Sequence, residues 1–169
     1  MFVLGIDPGL TRCGFGLVEG SFDQPESFRA VRAGVIESPH QDATELRLGH
    51  LHREMASLLD DFSPDAVVVE KVFFQKNANT AIPVAQASGI AVGLAASLGI
   101  PVRQFTAQQV KMAVTGYGAA KKPQVQAMVA RLCGLTEVPR PADAADALAL
   151  AMTYFIIERV ERRYPAVQM

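Results

Sequence analysis

Four carboxylates stand in this chain where an apolar core is expected. Asp7 follows the apolar run Phe2-Val-Leu-Gly-Ile6, and Glu70 follows Ala66-Val-Val-Val69. Continuous apolar runs of this length read as strands buried on both faces, so each acid ends a central strand. Asp143 and Asp146 lie three apart in a helical stretch and therefore project from one face of it. Their neighbours Ala142, Ala144, Ala145 and Ala147 are small enough to let that helix come close to a sheet. In a parallel sheet the carboxyl ends of adjacent strands open onto one crevice, where ligands bind. If the first two parallel strands are neighbours, Asp7 and Glu70 share that crevice, and a helix laid across its end adds the other two acids. Four carboxylates at such range cannot all stay ionised without a counter-charge. Divalent cations held by carboxylate oxygens and water supply one. Two such ions about 3.5–4 Å apart can clamp a phosphodiester and activate water for in-line attack. Singly, each acid has a simpler account. Asp7 suits a turn, Glu70 can begin a solvated loop, and Asp143 and Asp146 favour a helix N-terminus through its dipole. Only the joint arrangement speaks for metal-assisted hydrolysis.

The elements that must position these acids follow from periodicity. After the first strand, Asp7-Pro8-Gly9-Leu10 has the residue order of a type II turn. Strands at about Gly14 to Val18 and Phe28 to Ile36 continue an antiparallel meander. Asp42-Ala-Thr-Glu45 resembles a capping box, and Leu48, Leu51, Met55, Leu58, Leu59 and Phe62 carry the helix on to Ser63-Pro64. A helix from about Asn77 to Leu98 links the strand ending at Glu70 to a third parallel strand, Ile100-Pro-Val-Arg-Gln-Phe105. Further helices are expected near Thr106 to Val114, Pro123 to Cys133 and Pro141 to Arg163, with Pro123 and Pro141 in first turns. A meander followed by βαβ units gives an α/β fold, a mixed sheet covered by helices on both faces. No linker, repeat or low-complexity segment interrupts it, so residues 1–169 read as one domain, with a tail over 162–169 expected to lack fixed structure.

The charge distribution points to a polyanion. The chain has 169 residues and a net charge of −1. From Lys71 to Thr136, however, there is no acid and there are seven basic residues: Lys71, Lys76, Arg103, Lys111, Lys121, Lys122 and Arg131. The rest of the chain carries −8. A domain polarised in this way can bind nucleic acid on one face. The uncharged stretch Ala81 to Val102 is rich in Ala and Gly and holds Gln86, Ser88 and Ser97, which suits a packed helix better than a membrane span. Its small residues would also let it meet a second copy of the chain or pack on its own sheet. Cys13 and Cys133 form no C-x-x-C pair and read as buried thiols of a reducing compartment. Phe2 to Ile6 is too short for the apolar core of a signal peptide, so the expected location is the cytoplasm. His40, His50 and His52 read as surface residues rather than ligands.

Several segments, in order, resemble the RuvC family of Holliday-junction resolvases: Gly5-Ile-Asp7-Pro-Gly9; Val69-Glu70-Lys-Val-Phe73 with Lys76-Asn77-Ala78; Gln109-Val-Lys111 with Lys122 beyond a Gly-rich turn; and Ala142-Asp143-Ala-Ala-Asp146-Ala-Leu148. The resemblance implies an RNase H-like fold and a homodimer. It also implies Mg²⁺ or Mn²⁺, two ions per active site, and paired nicks in strands of like polarity at a four-way DNA junction, in recombination and repair. It makes Asp7, Glu70, Asp143 and Asp146 the catalytic and metal-binding acids. Asp143 stands where some members carry histidine. It places Lys111 and Lys122 on the DNA backbone near the acids, with Lys121 at a position that varies, and Lys76 among the DNA-binding residues. It makes Phe73, beside Phe74, the aromatic that stacks on bases opened at the junction. It also implies contact with the RuvAB branch-migration complex.

Three other readings compete. A nuclease of the same fold acting on RNA–DNA hybrid, or a transposase-like enzyme, would share the acids but need neither the Phe73 loop nor a dimer. An actin-like sugar kinase or ATPase would use Asp7-Pro-Gly9-Leu-Thr11 on phosphate, but needs two lobes that 169 residues do not supply. A non-catalytic junction-binding module gains nothing from four acids facing DNA.

Overall fold

The computed structural model describes residues 1–23, 28–72 and 78–164. Five strands form one sheet in the order β3-β2-β1-β4-β5. They are β1 (Phe2–Asp7), β2 (Arg12–Glu19), β3 (Arg29–Glu37), β4 (Ala66–Glu70) and β5 (Val102–Phe105). Strands β1, β2 and β3 pair antiparallel. Strands β4 and β5 join β1 in parallel through helical crossovers. The helices are α1 (Thr44–Phe62), α2 (Ala78–Ser97), α3 (Ala107–Thr115), α4 (Lys122–Leu132) and α5 (Ala142–Arg163). The mixed α/β sheet read from the sequence is therefore present.

Strand alternation divides the sheet into two buried faces. Leu4, Ile6, Phe15, Leu17, Val67 and Val69 point toward α1 and α2. Val3, Val18, Ala66 and Val68 point toward α3, α4 and α5. Asp7 and Glu70 continue the second set at period two, so both lie on the α5 side of the sheet. From Ala147 to Phe155 every residue of α5 is buried, which makes it the central helix of that face. Burying Leu148, Met152 and Phe155 stabilises the fold by about 1.5–3 kcal/mol each.

Local expectations fare unevenly. Helix α1 starts at Thr44 with Ala43 as its N-cap, and no side chain caps it, so Asp42 and Glu45 do not form the expected box. Ala43 holds that position because its carbonyl accepts the first helical bonds, from Leu46 at 3.0 Å and Arg47 at 3.2 Å. A complete box instead caps α3, between Thr106 and Gln109. The turn after Asp7 is not type II, because Gly9 does not adopt a positive φ; a Cβ there would lie 2.2 Å from the Arg12 carbonyl oxygen. Pro141 is the N-cap of α5 rather than a first-turn residue. That helix runs through Arg163, so the start of the expected tail is helical, while 165–169 lie outside the described residues. Ala87, Ala91 and Ala95 of α2 are buried in the chain's own core against α1, so packing on its own sheet accounts for that face. Cys13 is buried and Cys133 half-buried, both as free thiols. Among the described residues no helix is long and apolar enough to cross a membrane.

Candidate active site

The register of the sheet brings the first two acids together. Ile6 pairs with Val69 across β1 and β4, which sets Asp7 and Glu70 side by side at the carboxyl ends of adjacent parallel strands. The other two arrive on the first two turns of α5, which crosses this end of the sheet at very short range. A Cβ on Gly5 would sit 2.0 Å from the Ala147 carbonyl oxygen, and one on Gly14 would sit 2.3 Å from that of Asp143. The backbones touch because the sheet offers glycine and the helix offers alanine. One carboxylate oxygen each from Asp7, Asp143 and Asp146 then lies within 4.8 Å of the others. Glu70 joins them through a hydrogen bond with Asp7.

This hydrogen bond needs a proton, and the electrostatics favour keeping one on the pair. Burial, followed by the charges of Glu70 and Asp146, pushes the Asp7 carboxyl up from 3.8 to about 8. Burial also raises Glu70, while the bond from Asp7 and the charges of Lys122 and Lys111 pull it back. Without a cation, the Asp7–Glu70 pair therefore keeps at neutral pH a proton that two solvated carboxylates would lose. The remaining acids have cationic partners. Lys122 Nζ lies 2.5 Å from Asp146, and this contact raises the lysine's own affinity for its proton. Arg12 Nε donates to Asp143 at 2.9 Å, and its Nη1 reaches Glu37.

A cleft of about 220 Å³ opens over the cluster. Asp7, Glu70, Asp146, Lys111 and Lys122 supply its polar wall, and Val110, Val125 and Leu150 its apolar one. The geometry thus collects six of the nine residues singled out from the sequence: four acids and two lysines. Lys121 is exposed before the first turn of α4, where its backbone N–H donates to Gln124 at 2.8 Å; it does not line the cleft. Phe73 and Lys76 lie outside the described residues. One member of the basic stretch is already neutralised on the protein, since Arg103 pairs with Glu158 at 2.8 Å and Glu161 at 3.0 Å.

Sequence reading missed Arg12. The signal was available in strand alternation: positions 12, 14 and 16 share one face of β2, so an arginine at the head of that row faces the helix carrying the acids. It also missed the glycines of β1 and β2 that let the helix approach. All the ligand atoms are oxygens of carboxylates, the donor set of a hard divalent cation rather than of zinc or copper.

Comparison with known proteins identifies the family. The family model described as crossover junction endodeoxyribonuclease RuvC matches residues 3–154. The RuvC of Leifsonia xyli is 53% identical over 152 residues, 90% of this chain and 72% of that one. The RuvC of Salinispora arenicola is 53% identical over 154 residues, 91% of this chain and 87% of that one. The structure of T. thermophilus RuvC in complex with a Holliday junction substrate superposes with a TM-score of 0.89 at 37% identity, covering 95% of this chain and 96% of that one. The sheet, the carboxylate cluster and this similarity over nearly the whole length agree: the chain belongs to the RuvC family of crossover junction endodeoxyribonucleases.

Proposed function

We propose that this protein resolves four-way (Holliday) DNA junctions by paired symmetric nicks, as a metal-dependent endonuclease of recombination and DNA repair. The observation that carries the reading is the convergence of Asp7, Glu70, Asp143 and Asp146 on one end of the sheet, with Lys111 and Lys122 lining the same cleft. The likeness to a protein solved with a junction substrate supports the choice of DNA.

Asp7, Glu70, Asp143 and Asp146 would hold Mg²⁺ or Mn²⁺, two ions per site. Bound there, the cations supply a nucleophilic water at neutral pH and neutralise charge at the scissile phosphate. Everything else falls to the chain. Asp7 and Glu70 would hold such a cation as deprotonated carboxylates, so the proton they share would leave when it binds. Lys111 and Lys122 hold the phosphodiester against the acids and temper the charge that develops on it. Lys122 is paired with Asp146 at 2.5 Å in the cation-free site, so its ammonium would turn to the phosphodiester once a cation takes that carboxylate. The apolar wall of Val110, Val125 and Leu150 narrows solvent access on the far side. Lys121 and Lys76 contact the DNA backbone, and Phe73, three residues beyond Glu70, stacks on a base opened at the branch point.

A four-way junction presents two equivalent strands, which suits a two-fold dimer. The outward face of α2 is open to a second copy: Ile82 is 54% exposed, and space is free around Gly89 and Gly93. The dimer would meet the RuvAB branch-migration complex on the junction. Replacing Asp7 tests the chemistry. Asp7→Asn loses cutting by about a hundred- to a thousandfold, of the order of other single catalytic-group losses, while junction affinity stays equal or rises with one negative charge gone. Near-normal cutting by this variant would remove the acids from the mechanism.

A further inference from the structure

Arg12 has no part in the reading above, yet it is bonded to one of the four acids. It heads β2 on the face that α5 covers, and its guanidinium spans two carboxylates: Nε donates to Asp143 Oδ2 at 2.9 Å and Nη1 to Glu37. The Asp143 backbone is fixed above Gly14, but that contact does not fix its side chain, which stands in the first turn of α5. Among the described residues, Arg12 is the only side chain in hydrogen bond with it. A carboxylate has two oxygens and about four lone-pair sites. Arg12 therefore occupies one side of Asp143 and leaves the rest for the cluster with Asp7 and Asp146. Glu37 holds the other end of the fork, so the arginine is itself braced from β3.

We infer that Arg12 is a positioning residue of the metal site: it holds Asp143 in the orientation that completes the cluster, and so sets how tightly the site takes a divalent cation. The opposite effect is equally physical. A guanidinium beside a metal ligand is a competing cation, and if that dominated, its removal would tighten metal binding. The two accounts predict opposite signs. Groups that orient metal ligands are worth about 10- to 100-fold in affinity, and a fork bridging two acids fixes geometry more firmly than a point charge does.

The inference rests on the metal site proposed above. Its test is Mn²⁺ binding to the DNA-free protein, read from the electron paramagnetic resonance signal of free Mn²⁺, for the parent, Arg12→Ala and Arg12→Gln. Thermal melts check that each variant is folded. Positioning predicts at least about tenfold weaker binding for Arg12→Ala, with Arg12→Gln in between, since its amide still donates to Asp143 without carrying charge. Unchanged or tighter binding in Arg12→Ala overturns the inference. Should that variant fail to fold, Arg12→Gln decides alone: weaker binding supports positioning, and equal or tighter binding overturns it. A parent that binds no Mn²⁺ would instead overturn the metal site itself.

Discussion

The contact between α5 and the sheet makes a demanding prediction at Gly14, which touches no substrate. A methyl group added there would lie 2.3 Å from the Asp143 carbonyl oxygen and 2.7 Å from its carbonyl carbon, both rigid backbone atoms. No rotamer relieves such a clash, so the first turn of α5 must recede by about 1 Å to reach ordinary contact, carrying Asp143 and Asp146 with it. Overpacking of this kind costs about 1–3 kcal/mol. For a chain of this size that lowers the melting temperature by about 3–10 °C. Displacing catalytic groups by about 1 Å costs about a hundredfold in rate. Gly14→Ala is thus expected to remain folded at 25 °C yet cut a junction about a hundred times more slowly, under single turnover with saturating Mn²⁺. Gly49→Ala is the control. It lies inside α1, where a Cβ meets only Arg53 at 3.5 Å, so removing backbone entropy there stabilises by about 0.5–1 kcal/mol and leaves cutting intact. Gly14→Ala cutting within a few-fold of the parent, with an unchanged melting temperature, would refute the claim that helix–sheet contact sets the geometry of the site.

Two further outcomes follow from the site. Asp7 binds its proton more tightly folded than unfolded, so between pH 3.8 and about 8 the folded state holds the extra proton and stability falls as pH rises. One such group contributes a slope of at most about 1.4 kcal/mol per pH unit. In EDTA, Asp7→Asn is therefore expected to gain stability relative to the parent as pH rises through that window. A gap that does not change with pH would contradict the raised proton affinity of the Asp7 site. Phe73→Ala is expected to weaken junction cutting while Mn²⁺ binding is retained; equal activity on junctions would remove Phe73 from the mechanism.

What was legible in the sequence is what chain-local patterns encode. Runs of apolar residues ending in an acid gave β1 and β4, and an alanine-rich helix with acids three apart gave α5. Whether β1 and β4 are neighbours stayed open in the sequence, and their parallel pairing in the sheet is what brings Asp7 and Glu70 together. The rest was hidden because it depends on what lies opposite. Gly5 and Gly14 look like turn or flexibility residues until a helix backbone is set against them. Arg12 reads as a surface charge until Asp143, 131 positions away, is brought beside it. Asp42 has the right residue type for a cap, but the turn Pro39-to-Asp42 passes the helix start on to Ala43. Lys111 and Lys122 could be named from the sequence, but only the fold shows that Lys122 is engaged with Asp146 while Lys121, one residue earlier, is not in the cleft.

The central claim is tested most directly by cleavage of an immobile four-way junction, beside linear duplex and RNA–DNA hybrid, with Mg²⁺, Mn²⁺ or EDTA. The account predicts paired, symmetric nicks in the junction alone, present with either cation and absent in EDTA. Cutting of hybrid or linear duplex at comparable rates, or junction binding with no cutting under any cation, would contradict it.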